Sequence, residues 1–268
     1  MLRLSSIHLV GAVEELRGIP EGKVLINTIN AHSYNVAQKD EAFAEALRTI
    51  DNSQLTIDNG CVKYLIPDGA SIVKACRWLK AKSQPKERIA GWDLFAFEMQ
   101  RLEGRSEGRS EKWKVKSEKC GKVMFMGSSE RVLRLIRERA AEDYPNLEIV
   151  TYSPPYKAEF TEEDNRAIVQ AINEAKPDLL WIGMTAPKQE KWTYQHWKEL
   201  DIDCHVGTIG AVFDFYAGTA TRAPKWWQQH GLEWLYRLMI EPRRMWRRYV
   251  IGNPLFIWNI RKELRGKN

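Results

Sequence analysis

From Val123 onward the chain alternates short apolar runs with amphipathic stretches, and this rhythm restricts its fold more than any other feature. Val123–Gly127, Leu147–Tyr152, Asp178–Gly183 and His205–Ile209 read as strands, while Ser129–Glu142, Glu162–Lys176 and Pro187–Leu200 carry helical periodicity. Strands separated by helices of this length are joined by βαβ crossovers, which makes the sheet parallel. Upstream, Val24–Asn30 and Tyr64–Ile66 predict further strands, and Glu41–Ile50, Ala70–Lys80 and Gly91–Leu102 predict helices. The expected fold class is α/β, a Rossmann-like parallel twisted sheet with flanking helices.

In such sheets ligands bind beyond the carboxyl ends of the strands. The loops that begin at Asn27, Pro67, Gly127, Gly183 and Gly210 are therefore the informative ones. Asp68 stands in Pro-Asp-Gly directly after an apolar run. It serves either as ordinary turn chemistry or as a general base at a strand end, taking a proton from a sugar hydroxyl. Gly127-Ser128-Ser129 opens a helix and offers backbone N–H groups to a phosphate. Gln189 and Glu190 fall early in a helix after Gly183; they are a solvated amide and a dipole-favoured acid, or else ligand contacts. No GxGxxG or Walker pattern is present, which gives little support to a dinucleotide or NTP site.

Metal and nucleophile chemistry find little footing. The five histidines form no ligand cluster. Asp201-Ile202-Asp203 has the form of a DxD metal clamp but falls in a helix-to-strand loop, at the wrong end of a parallel sheet. No metal site and no cofactor are expected. Cys61, Cys76, Cys120 and Cys204 lack metal spacing, and burial as free thiols in a reducing compartment is the expectation.

From about Ala217 the alternation stops, dividing the chain into a body, residues 1–220, and an appendage, residues 221–268. Within the body a duplicated Glu-Gly-Arg-Ser opens a charged stretch over 103–119 that reads as a solvated surface insert. The appendage carries eleven Lys/Arg against three acids, a charge of +8, so with the whole chain at +6 the body is about −2. Five of the eleven tryptophans share this segment. Arginine among Trp and Tyr suits a membrane interface with anionic headgroups, although a structural cap or a nucleic-acid surface remains open. No recognisable nucleic-acid module is present, and no run of about 18 apolar residues offers a spanning helix. Short helices are expected over Lys225–Ile240, Arg243–Val250 and Leu255–Leu264, with Pro242 and Asn253-Pro254 as breakers.

Ordered blocks then point further. Asn30-Ala31-His32, Pro67-Asp68-Gly69, Glu87 through Asp93, Pro187 through Trp192, Gly210 through Asp214, Arg222 through Trp226 and Gly231 through Arg248 resemble the WecG/TagA/CpsF glycosyltransferases, glycosyltransferase family 26. The resemblance implies an inverting transfer of N-acetylmannosamine from a UDP donor to a polyprenyl-diphosphate-linked sugar, feeding a cell-surface polymer. UDP-glucose and the UDP-linked uronic acid are compatible alternatives. It implies Asp68 as base, with Thr28 and Asn30 in the same pocket and Arg88 and Gln189 at the donor. Glu190, Gly127, Gly183 and Gly210 join the donor side, and Arg237, Arg243, Arg244, Arg247 and Arg248 meet the lipid diphosphate or the membrane. The implied location is cytoplasmic, at the inner face of the cell membrane. Thr185 stands where glycine is expected, and Ser153-Pro154-Pro155-Tyr156 replaces a Gly-Tyr turn.

Overall fold

Six apolar runs form one sheet in a computed structural model that describes residues 1–49, 61–107, 121–224, 226–227 and 230–266. The strands are β1 Val24–Ile29, β2 Val62–Pro67, β3 Gly121–Gly127, β4 Leu147–Tyr152, β5 Leu179–Gly183 and β6 His205–Thr208. Their order is β2-β1-β6-β5-β3-β4, and every pairing is parallel. The expected α/β architecture is present. Because helices cover both faces, the central strands are apolar throughout rather than alternating.

Alternation survives in where the side chains go. Val123, Phe125, Leu179 and Trp181 pack on one face against α4 (Gly91–Glu107), α5 (Glu130–Asp143) and α8 (Gly210–Tyr216). Met124, Met126, Leu180 and Ile182 pack on the other against α6 (Glu162–Ala175) and α7 (Lys188–Gln195). The period-2 geometry of a strand sorts these neighbours. A third apolar group gathers α1 (Ala31–Ala37), α2 (Glu41–Leu47) and α3 (Ala70–Trp78) beside β2. Local signals start the helices: Asp40 caps α2, Ser129 caps α5, and Thr161 with Asp164 forms a capping box on α6.

At the amino end of the sheet, buried Glu98 lies 2.9 Å from His205 Nδ1 and accepts from Arg101 Nε at 2.8 Å. Burial alone would raise its pKa, but these partners hold the carboxyl below its ordinary value. Asp201 and Asp203 also lie at this end, exposed and far from the carboxyl edge. Cys61, Cys76 and Cys204 are buried free thiols, and Cys120 lies outside the described residues.

The charged insert differs from expectation in its first part. Residues 103–107 continue α4, where Leu102 is buried in the core and Glu and Arg tolerate helix well; residues 108–120 lie outside the described residues. The tail differs too. Its first described long helix, α9, runs only Glu233–Ile240, because Gly231 takes a left-handed φ of +68° just before it. After α10 (Pro242–Trp246) and a π-helical turn over Arg247–Ile251 comes α11 (Gly252–Arg265). Pro254 breaks nothing: the helical backbone runs unbroken into α11 from the π-helical turn, whose altered hydrogen-bond pattern just before it accommodates the missing N–H.

Helix α11 is seated on the body. Phe256 and Ile260 are buried in the third apolar group, and Glu263 accepts from Ser5 N at 2.7 Å and from Tyr34 Oη at 2.6 Å. The last helix of the tail therefore closes one side of the core.

One close contact tests this packing. A Cβ at Gly207 would come within 2.2 Å of the buried Trp181 ring. Gly207→Ala overfills the sheet at that point, and chemical denaturation should show a loss of about 1–3 kcal/mol.

Candidate active site

Parallel register delivers the site residues to one edge. Thr28 pairs with Ile66 and Ile29 with Pro67, so Asn30 and Asp68 leave the sheet side by side. The Asp68 N–H donates to Ile29 O at 2.8 Å, and Ile89 N–H donates to Pro67 O at 3.0 Å. The second bond brings the loop carrying Arg88 to the end of β2. Loops after the other strands complete a cleft of about 1470 Å³ along the carboxyl edge.

Thr28, Asn30, Asp68, Arg88, Gly183, Gln189, Glu190 and Gly210 all line this cleft, as do Arg237 and Arg248 from the tail. Asn30 caps α1, accepting from His32 N at 3.0 Å and Ser33 N at 3.1 Å, and Arg248 Nη2 reaches its Oδ1 at 3.5 Å. Desolvation raises the pKa of Asp68; Glu233 adds to the rise, while Arg248 and Arg88 oppose it. His32, half-buried and near Arg248, is lowered to about 4, chiefly by desolvation, and is neutral near pH 7.

The glycines have a packing role that a motif does not reveal. A Cβ at Gly127 would meet Gly183 O at 2.4 Å, at Gly183 the Phe213 ring at 2.5 Å, and at Gly210 Met184 O at 2.1 Å. They let three strand ends close up. Gly127 stands behind this contact, and the wall beside it is formed by Ser128 and Ser129.

Gln189 is spent on the same loops. Its Oε1 accepts from Met184 N at 3.1 Å and Gly210 N at 3.2 Å, and its Nε2 donates to Glu190 Oε1 at 2.9 Å. Glu190 is 2% exposed, and its other carboxylate oxygen has no partner among the described residues. Burial pushes its pKa up to about 7. A buried acceptor without a donor is costly in water-free surroundings and is suited to a ligand hydroxyl or N–H.

The tail arginines separate into two groups. Arg237 lies over the Phe215 ring at 5.6 Å, and the π-helical turn carries Arg248 to Asn30. Arg243 and Arg247 are exposed on the outer surface, Arg247 over the Trp246 ring at 5.4 Å; the Arg244 side chain lies outside the described residues. Of thirteen large apolar side chains exposed among the described residues, ten lie between Trp226 and Leu264, so the outer tail is both greasy and cationic. No helix among the described residues is long and apolar enough to cross a membrane.

Sequence reasoning passed over Arg222 and Glu233 as site residues. Glu233 pairs with Arg88, and its Oε1 lies 3.6 Å from Arg222 Nε. Both residues stand in blocks already singled out, but an ion pair spanning 145 positions leaves no periodic mark in a sequence.

At the carboxyl edge of this parallel α/β sheet, carboxyls and arginines converge on one cleft, an arrangement suited to binding anionic ligands. Residues 2–268 match the model of the Glycosyl transferase WecG/TagA/CpsF family, and the chain belongs to that family of glycosyltransferases. Among its relatives is the N-acetylglucosaminyldiphosphoundecaprenol N-acetyl-beta-D-mannosaminyltransferase of Bacillus subtilis (strain 168), 26% identical over 243 residues, covering 91% of this chain and 81% of the relative. The protein of the same description from Bacillus spizizenii is 28% identical over 202 residues, 75% of this chain and 69% of the relative. The one from Staphylococcus aureus (strain NCTC 8325 / PS 47) is 26% identical over 243 residues, 90% and 81% respectively.

The raised Glu190 pKa makes a stability prediction. Between its ordinary 4.5 and about 7 the folded protein binds the extra proton, so Glu190 costs stability progressively as pH rises through that window. Glu190→Gln should leave melting unchanged near pH 4.5 and stabilise the fold at pH 8 by on the order of 1–3 kcal/mol.

Proposed function

We propose that this protein transfers N-acetylmannosamine from UDP to a sugar carried on a polyprenyl diphosphate, inverting the anomeric configuration. The observation that carries the reading is Asp68, a desolvated carboxyl within the electrostatic reach of Arg248 and Arg88 at the end of β2 in an open cleft. The relatives' names supply the transferred sugar and the lipid-linked acceptor. Cleft size is consistent with this, since about 300–1,000 Å³ suffices for one small ligand and this volume leaves room for a second.

The cleft's base and arginines support a direct displacement. Asp68 accepts the proton of the acceptor hydroxyl as its oxygen attacks the anomeric carbon. The bond from that carbon to the diphosphate oxygen breaks on the opposite face, and UDP leaves with the electron pair. Arginines around the cleft stabilise the departing charge, taking the part a metal ion plays elsewhere. Turnover in EDTA should equal turnover without it.

Gln189 acts here by holding the β5 and β6 loops in register. The free oxygen of Glu190 meets a donor hydroxyl or amide. On the outer tail, Arg243, Arg247 and the exposed Trp246, Val250, Ile251 and Trp258 rest on an anionic inner-leaflet surface, which brings the cleft to its lipid-borne acceptor.

The deciding assay is UDP release from a panel of UDP-sugars, with and without a synthetic polyprenyl-diphospho-GlcNAc. Release from UDP-N-acetylmannosamine should depend on the acceptor, and Asp68→Asn should lower it by roughly 10²–10⁴. Because the Asp68 pKa is raised, activity should fall with acid at a pH above the ordinary carboxylate range. Equal rates for wild type and Asp68→Asn would dismiss the mechanism.

Membrane contact has its own check. Deleting the tail would also strip Phe256 and Ile260 from the core, so surface substitutions are the cleaner probe. Trp246→Ser combined with Ile251→Ser should weaken sedimentation with anionic vesicles by about tenfold or more, given what apolar burial contributes. Unchanged sedimentation would remove the membrane role from this face.

A further inference from the structure

Within the cleft two guanidinium groups converge on one carboxylate. Arg88 pairs with Glu233, and Arg222 Nε stands 3.6 Å from the same carboxylate. The three side chains are each about a quarter exposed (23%, 23% and 24%), so a ligand can reach them without unfolding anything. Two cations against one anion leave the cluster at +1 in a site read as taking a diphosphate-linked sugar.

Their attachments are unequal. Arg222 lies over the Trp92 ring at 5.4 Å, and Trp92 in turn rests against Phe95 and Tyr216 in the core. Arg88 is fixed by the backbone bond of Ile89 to the end of β2. Glu233, by contrast, belongs to α9, a helix with no buried residue that follows the left-handed Gly231. The arginines are anchored to the body, while the carboxylate arrives on a helix held only by partly exposed contacts such as Arg237 over Phe215 and Trp234 against Tyr249.

We propose that Arg222 joins Arg88 in seating the donor's diphosphate, and that Glu233 competes with the diphosphate for these two guanidinium groups. This rests on the reading of the cleft as a diphosphate-sugar site. A diphosphate brings two or more negative charges and oxygen pairs that match the guanidinium fork, so it outcompetes a single carboxylate. The carboxylate cannot stay beside it without like-charge repulsion. Donor entry therefore exchanges one anion for another and frees the start of α9, coupling the occupied cleft to the position of the tail. Glu233 is thus a stand-in for substrate rather than a catalytic residue.

The test uses the full chain with inorganic pyrophosphate, which needs no sugar assignment. Calorimetric titration should find Glu233→Gln binding pyrophosphate about fivefold tighter than wild type, the fold-change one partly exposed ion pair is worth. Arg222→Gln should bind it about tenfold more weakly, in line with a lost charge-assisted contact. In wild type, which requires no substitution, pyrophosphate should speed amide exchange across residues 233–240. Equal or weaker binding by Glu233→Gln, or slower exchange across 233–240 on binding, would overturn the proposal. Acceptor-dependent UDP release from wild type alongside such a result would leave the transfer reaction standing and dismiss only the exchange.

Discussion

Because all six strands run the same way, every loop that follows a strand opens at one edge of the sheet, and the cleft forms along that edge. Register then sets the detail. The pairing of Ile29 with Pro67 places Asn30 and Asp68 abreast, and the N–H of Asp68 is bound back to β1. The close approach of Gly127, Gly183 and Gly210 to neighbouring loops depends on the same strand spacing. Had any one of these strands run antiparallel, its following loop would open at the other end, among Glu98, His205 and the exposed Asp201 and Asp203.

The site balances charge over a partly dry surface. Asp68, Glu190 and Glu233 face Arg88, Arg222, Arg237 and Arg248 around one opening. The carboxyls are not equivalent: Asp68 is raised by burial and contested by arginines, Glu190 is raised by burial with little to oppose it, and Glu233 is held in ion pairs. Environment, not residue type, separates these three carboxyls. The tail supplies three of these four arginines, Arg222, Arg237 and Arg248, which explains why an element outside the sheet belongs to the site.

The tail itself works on two surfaces. Its inner side contributes Arg248 to the cleft and Phe256 and Ile260 to the core, and its outer side exposes Trp, Ile and Arg. A helix pinned by Glu263 to the chain's first residues holds these two surfaces in fixed relation.

What the sequence determined by itself was whatever repeats locally. Period-2 and period-3.6 patterns announced the strands from Val24 to Ile209 and most of the helices, and ordered blocks announced the family and Asp68. Helix ends were harder, because Pro254 reads as a breaker until the π-helical turn just before it is known. The short α1 went unannounced, since seven residues span too few turns to show a period. Tertiary structure alone decided that Gln189 spends its oxygen on two loop N–H groups, that Glu190 keeps an unpartnered one, and that Arg88 and Arg222 meet Glu233. Those facts are distances between positions far apart in the chain. A one-dimensional pattern records which face a residue takes, and only the packed sheet records what stands opposite it.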